Sequence, residues 1–261
     1  MDADAGVAPL RVRDLTMAFG DFVVQRELSF DVGRGSIFVI MGGSGCGKST
    51  LLKHMVGLNR PAQGQVMYGD VSFWEADEDQ RRAIMRSIGV LYQSGALWSS
   101  LSLAENIALP LTELTEVSSA TARELAELKL RLVGLRGFED HYPFEISGGM
   151  RKRASLARAI ALDPQILYLD EPSAGLDPVS AHLLDRLIIE LRDSLGATVV
   201  VVTHELASIF AIADDSIFLD TEAKTMLVQG APRRLLDECS DPRVIEFLTR
   251  GKGRRAEETS S

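Results

Sequence analysis

Hydrophobic and polar positions along the chain fall into blocks of two different periods. From Leu10 to Val32 they alternate, which predicts two strands, Arg11–Leu15 and then Phe22–Val24 running on through Ser29–Val32, with a turn at Gly20 and Asp21. Ile37–Met41 is short, apolar and β-rich, and Thr50–Val56 reads as a helix ending at Gly57. Asn59–Gly64 is a turn, Gln65–Asp70 a short hairpin arm and Glu75–Arg86 a charged surface helix. Ile88–Tyr92 predicts a buried strand that ends at Gln93.

From Ser94 to Leu162 helical spacing takes over, over Leu103–Leu109, Ser118–Val133 and Ser147–Ala161. A helical subdomain inserted at about 94–162 is the expectation. The sheet pattern returns at Gln165–Glu171, an apolar run that ends in two adjacent carboxylates. A helix over Val179–Ser194 follows, then a strand over Thr198–Thr203 ending at His204, and a hairpin from Ser216–Leu219 to Thr225–Val228. Alternating strand and helix implies a parallel sheet, so the fold class is α/β, a mainly parallel sheet with an N-terminal antiparallel β subdomain and an inserted α-helical subdomain. Residues 1–240 are expected to form one domain, with 241–261 as a C-terminal extension and tail. Val244, Ile245, Phe247 and Leu248 have helical spacing that suits docking on a neighbouring subunit, whereas the tail from Gly251 has the composition of a disordered end.

Composition narrows the functions. The 261 residues are 46% hydrophobic, enough for a full core, and the net charge is −9, which leaves no global positive field to hold nucleic acid. No apolar run approaches the ~20 residues of a membrane span, and Met1–Asp4 is acidic where a signal peptide would be positive. A soluble, cytoplasmic chain is the expectation. The two cysteines, Cys46 and Cys239, lie far apart, and a structural disulfide is not expected.

The chemistry concentrates in Gly42, Gly43, Ser44, Gly45, Cys46, Gly47, Lys48 and Ser49, which match the phosphate-binding P-loop pattern G-x-x-x-x-G-K-[ST] between a predicted strand and a predicted helix. The glycines let backbone N–H groups turn inward around a phosphate, and the helix opening near Thr50 adds the positive end of its dipole. Lys48 would place a charge on the β- and γ-phosphates of ATP, and Ser49 would offer its hydroxyl to Mg²⁺. Cys46, at that helix N-terminus, is expected to favour its thiolate.

Hydrolysis also needs a metal clamp, a group to orient water and a sensor of the γ-phosphate, and each stands at the end of a predicted strand. Asp170 would hold Mg²⁺ through a coordinated water, Glu171 would act as general base on the attacking water, and His204 would contact the γ-phosphate. Gln93 could reach the metal or the water, or cap a loop. Phe19 could stack on a purine base or serve as a core or edge aromatic. His54, His141 and His182 have surface or packing roles by default. Leu97–Leu103 is more apolar than a surface loop needs, so it forms a small core within the insertion or faces a partner.

Read together, the P-loop, Gln93, Ile146–Met150 (Ile-Ser-Gly-Gly-Met), Ile166–Glu171, Ser173–Asp177 and His204 resemble the full motif set of ABC-transporter ATPases, in that family's order. The Ser-Gly-Gly signature is the specific feature. The resemblance implies the ABC ATPase fold, a P-loop NTPase core. It also implies a head-to-tail dimer of two copies, each ATP held between the P-loop of one and Ser147, Gly148 and Gly149 of the other. Asp177 would contact the opposite P-loop, Phe19 would take the adenine-stacking position, and one chain alone would be slow or inactive. Met150 stands where the signature usually has glutamine, Ile146 where it has leucine, and Phe19 where tyrosine is commoner.

Leu91–Trp98, Asn106–Leu111, the signature ending in Met150 and Asp241–Val244 are similar to the ATPase subunit of Mla-type (MCE) lipid transporters. That similarity implies phospholipid transport between the inner and outer bacterial membranes, which maintains outer-membrane lipid asymmetry. The implied partners are an integral membrane permease dimer, an MCE-domain protein and, in some members, a STAS-domain subunit, with the ATPase peripheral on the cytoplasmic face of the inner membrane. An importer for another solute and a soluble ABC ATPase acting on DNA or ribosomes are the alternatives. The latter usually carry a long coiled-coil insertion or two ATPase domains, and neither pattern occurs here.

Overall fold

The computed structural model describes residues 9–251, so the acidic start Met1–Asp4 and the tail after Gly251 lie outside the described residues. In chain order the elements are β1 Leu10–Phe19, β2 Phe22–Val32, β3 Ile37–Gly42, α1 Lys48–Met55, β4 Gln63–Tyr68, β5 Val71–Ser72, α2 Glu78–Arg86, β6 Ile88–Leu91, α3 Leu103–Leu114, α4 Ser119–Leu132, α5 Gly148–Ala159, β7 Ile166–Asp170, α6 Pro178–Leu195, β8 Thr198–Val202, α7 Leu206–Ile212, β9 Asp215–Leu219, β10 Met226–Gln229, α8 Pro232–Glu238 and α9 Pro242–Thr249.

Two sheets result. The antiparallel one has the order β2-β1-β4-β5, and the six-stranded one has the order β10-β9-β3-β8-β7-β6, parallel except where β10 meets β9. Side chains of a strand alternate between faces, and the larger sheet is buried on both. Ile37, Val39, Met41, Val199 and Val201 join one core, while Phe38, Ile40, Val200 and Val202 join the other, beneath the antiparallel sheet and α1.

Local chemistry starts and stops the helices. Asp77 with Gln80 and Ser102 with Glu105 form reciprocal capping boxes on α2 and α3, Asp177 caps α6, and Gly196 ends α6 in the left-handed conformation. α3 runs past the predicted Leu109 and contains Pro110. An interior proline costs a helix about 3 kcal/mol, but Leu103, Ile107 and Leu111 are buried on one face and carry the helix through it.

α3, α4 and α5 stand between β6 and β7, and their apolar faces do not form a separate core. Leu103, Ile107, Leu130 and Leu156 belong to the same cluster as Val39, Leu169 and Val201 of the sheet. The apolar segment before α3 divides: Leu103 is fully buried and Leu97 packs on that cluster, whereas Trp98 is 60% exposed. Asn106, fully buried, holds the segment by accepting the Trp98 N–H and donating to the Trp98, Leu101 and Ser102 carbonyls. No described helix is long and apolar enough to cross a membrane.

Candidate active site

The parallel strands end together. Gly42 at the end of β3 is in register with Leu219, and Asp170 at the end of β7 is in register with Val202, so the P-loop, Asp170, Glu171 and His204 meet along the carboxyl edge of the sheet. Ligand chemistry in open α/β sheets gathers at that edge.

Two P-loop positions admit only glycine. At Gly42, with φ 149°, a Cβ would lie 2.4 Å from the Leu219 carbonyl oxygen, and at Gly47, with φ 97°, it would lie 2.7 Å from Val24 Cγ1. Gly43, Ser44 and Gly45 form the exposed rim. The helix begins two residues before the predicted Thr50, at Lys48, which is buried and turns its Nζ back to donate to the Gly42 and Gly43 carbonyls at 3.0 and 2.9 Å. The ammonium therefore sits against the loop that it would help to charge.

Ser49 Oγ donates to Asp170 Oδ1 at 2.9 Å, which brings together two of the expected metal residues. Burial pushes the Asp170 carboxyl up, the Ser49 hydrogen bond pulls it down, and the neighbouring Glu171 charge raises it again. A hydroxyl beside a carboxylate is an oxygen donor set that suits Mg²⁺. Among the described residues no cluster of three or more His, Cys, Asp or Glu side chains could hold a metal.

Glu171 leaves β7 with φ 48°, unusual for a residue with a Cβ, and its N–H is tied to the Val202 carbonyl at 2.8 Å. Its Oε1 lies 2.7 Å from His204 Nδ1. Opposite an ionised carboxylate the proton belongs on Nδ1, which donates. Glu171 Oε2 is buried and lacks a partner. Buried carboxylate oxygens are rarely left so, and this acceptor suits a water molecule.

Gln93 is exposed after β6 and is anchored by its carbonyl, which accepts from Lys152 Nζ at 2.6 Å. The same Nζ donates to the Glu171 carbonyl at 3.2 Å, so one ammonium ties together the two loops that carry Gln93 and Glu171. Burial pushes the Lys152 amine down. Sequence reasoning missed Lys152, because a lysine between Arg151 and Arg153 carries no signal of its own. It also missed Gln25, a polar residue at an inward-facing position of β2. Gln25 is fully buried, and its Nε2 donates to the Cys46 and Asp220 carbonyls.

The structure overturns the expectation for Cys46. The side chain is 1% exposed, and burial raises its pKa against the pull of Lys48. Desolvation is the largest cause and outweighs the Lys48 charge and the backbone N–H groups of Lys48 and Cys46, which pull the other way; Lys48 Nζ is 3.9 Å from the sulfur. His54, buried and kept neutral by burial, hydrogen-bonds through Nδ1 to the Thr50 carbonyl at 2.8 Å, a packing role as expected. Phe19 is 56% exposed at the end of β1, which removes the core alternative and leaves an aromatic edge.

The signature lies elsewhere on the molecule. Ser147 caps α5 by accepting the Met150 N–H at 3.2 Å, and Ser147, Gly149 and Met150 line a cleft with α4 and α6 that includes no P-loop residue. Asp177 is exposed and caps α6, accepting from the Val179 and Ser180 N–H groups at 3.0 Å. Within one chain, then, two capped helix N-termini lie side by side, and the P-loop is not part of their cleft.

Residues 25–174 match the family model described as ABC transporter. The chain is 40% identical over 250 residues to the probable ribonucleotide transport ATP-binding protein mkl of Mycobacterium leprae, covering 96% of this chain and 70% of that protein. It is 37% identical over 239 residues to the intermembrane phospholipid transport system ATP-binding protein MlaF of Haemophilus influenzae, covering 92% and 89%. Among solved structures, it is similar to the dimeric post-hydrolysis state of the ATP-binding cassette MJ0796 bound to ADP and Pi, with TM-score 0.76, 28% identity, and 85% and 98% of the two chains covered. With the P-loop, the strand-end carboxylates and the signature helix arranged as described, this chain belongs to the ABC transporter family and is an ATPase.

Proposed function

We propose that this ATPase powers phospholipid transport between the inner and outer membranes as a head-to-tail homodimer seated on a membrane permease. The observation that carries the reading is a cleft of about 560 Å³ lined by Met85, Val90, Ala96, Trp98, Leu109 and Pro110. Ala96, Trp98, Leu109 and Pro110 of that lining come from the two segments, Leu91–Trp98 and Asn106–Leu111, that are similar to Mla-type ATPases. Arg158 holds the Ala96 carbonyl at 2.5 Å, so the cleft is tied to the same helix that begins at the signature. An apolar permease segment in this cleft would feel movement of α5 directly. An MCE-domain protein and a STAS-domain subunit complete the proposed assembly, peripheral on the cytoplasmic face of the inner membrane. The nucleotide-binding domain is assigned to residues 1–240, with its helical subdomain at about 94–162 and an extension from 241 to 261.

In each composite site Phe19 would stack on the base, and Gly42 to Thr50 would wrap the phosphates. Ser49, Asp170 and Gln93 would hold Mg²⁺, which would supply positive charge to the phosphates. Glu171 would take a proton from the attacking water while His204 holds its carboxylate in place. Ser147, Gly148 and Gly149 of the second copy would aim a helix N-terminus at the γ-phosphate, and Asp177 would contact the opposite P-loop.

A second reading, ribonucleotide transport, follows the name of the mycobacterial relatives. The two are separated by purifying the tagged chain with its membrane partners in mild detergent, identifying them with any bound lipid, and reconstituting the complex. Phospholipid and an MCE-domain protein in the preparation, with ATP turnover stimulated by phospholipid vesicles, is the expected result. Stimulation by ribonucleotides and indifference to lipid would move the assignment to the second reading.

A further inference from the structure

The C-terminal helix α9 is joined to the P-loop by a continuous line of short polar contacts. Arg243, clamped by Asp241 through Nε and Nη2 at 3.1 and 2.8 Å, donates from Nη1 to Asp220 Oδ1 at 2.9 Å. The Asp220 carboxylate also accepts the Glu222 and Ala223 N–H groups, which fixes the turn after β9. The carbonyl of the same Asp220 accepts from Gln25 Nε2 at 2.8 Å, and Gln25 Nε2 donates again to the Cys46 carbonyl at 2.7 Å. The orientation of the Gln25 amide is settled by its neighbours, since two carbonyls require the NH₂ group and would repel Oε1. Oε1 is buried without a partner, so the side chain meets these two carbonyls at the cost of its own acceptor.

Apolar contacts run alongside. Val244 and Leu248 are buried, and Phe247 meets Phe218 of β9 edge to face at 5.2 Å. The P-loop rests on the end of the same strand, with the Gly42 α-carbon against the Leu219 carbonyl. Residues 218–220 therefore carry α9 on one side and the P-loop on the other.

The peptide unit turns this support into an effect on ligand. In a trans peptide the carbonyl and the following N–H point in opposite directions. Pinning the Cys46 carbonyl toward Gln25 therefore turns the Gly47 N–H away from Gln25, and in a P-loop the N–H groups that face away from the protein are those that meet phosphate. We propose that Gln25 and Arg243 are positioning residues for the nucleotide, through which the C-terminal helix α9 sets the affinity of the P-loop for ATP. The inference rests on the P-loop being the nucleotide site. It makes α9 a control surface, since whatever displaces the helix would loosen the Cys46–Gly47 peptide.

The test uses the full chain and reads the ATP dissociation constant and kcat in Arg243→Met, Arg243→Lys, Gln25→Met, the double Met variant and Lys48→Ala. Losing one net hydrogen bond corresponds to roughly a two- to tenfold change, so Gln25→Met, which loses two, is expected to weaken ATP binding about tenfold and Arg243→Met roughly threefold. In both, kcat changes less than twofold, Arg243→Lys restores most of the affinity, and the double variant is no worse than Gln25→Met. Arg243 is at the surface, so its variants decide the matter even if Gln25→Met unfolds. Unchanged ATP affinity in Arg243→Met, or losses that multiply in the double variant, would overturn the inference while Lys48→Ala still abolishes binding. If Lys48→Ala binds ATP normally, the P-loop assignment fails and the inference fails with it.

Discussion

The P-loop end and the signature end of this molecule are both helix N-termini preceded by small residues, yet they are built in opposite ways. Around the P-loop, Lys48 bonds the loop carbonyls, Ser49 bonds Asp170 and Gln25 supports the loop from below. That end is held together by its own hydrogen bonds, and little of it beyond the rim is exposed. At the signature, Ser147 bonds its own helix, while Gly148 and Asp177 face solvent beside it. One region has its groups tied to one another around the proposed phosphate site, and the other is a side-chain-capped helix end that faces outward. The difference agrees with the proposed division of the machinery, in which one chain binds the nucleotide and turnover takes two.

The strongest way to break this division is at Glu171. Glu171→Gln is expected to lower ATP turnover by about 10²–10⁴-fold, the range for losing a general base, while ATP binding and ATP-dependent dimerisation persist in light-scattering measurements. Retained turnover would mean that the base lies elsewhere. Next comes Gly149→Asp. An acidic residue in the first turn favours the helix, and the added Cβ meets Ser180 only at an ordinary 3.7 Å, so the chain should fold. The carboxylate would repel the γ-phosphate, and we expect turnover to fall at least about 100-fold with single-chain ATP affinity unchanged within about twofold. A matching loss of affinity would place the signature in the primary nucleotide site and end the comparison.

Trp98→Ala sharpens it on the partner side. Removing an exposed aromatic anchor from an interface costs about 2 kcal/mol or more, so pull-down of the permease should weaken at least tenfold while ATP binding stays the same. Equal losses of both would show that the cleft is part of the nucleotide site's support. The smallest expected effect concerns Cys46. Burial raises its pKa, so the reactive thiolate is depleted at neutral pH and appears only as pH rises past the ordinary thiol range. Alkylation near pH 7 is expected to be slower than for a free thiol, to speed up with pH, and to change little when ATP is added. Rapid, ATP-sensitive labelling at neutral pH would show a P-loop more open than described.

Much of this was legible in the chain itself. The alternation over Leu10–Val32, the valine run Val199–Val202 and the contiguous Gly42–Ser49 place strands, parallel sheet and phosphate loop without any tertiary information, because each signal lies within one local period. The adjacent Asp170 and Glu171 and the strand-terminal His204 were readable for the same reason. The 2.7 Å contact between Glu171 and His204 joins positions far apart in sequence, and the left-handed turn at Glu171 that makes it possible has no glycine to announce it. The apolar insertion misled in one respect. Its helices share the sheet's core, since periodicity reports which face is buried but not what buries it.

The sequence by itself determined the elements, their order and the residue types able to hold a phosphate, a metal and a water, because hydrogen-bond period, glycine freedom and side-chain chemistry act over a few neighbouring residues. Only the tertiary structure decided how those groups are supported and charged. Lys152 joins Gln93 to Glu171, Gln25 joins Cys46 to Asp220, and Cys46 stays a thiol at a helix end that would otherwise favour its ionisation. Those outcomes depend on desolvation and on carbonyls brought close from distant parts of the chain, and both come into being only when the two cores close on the sheet.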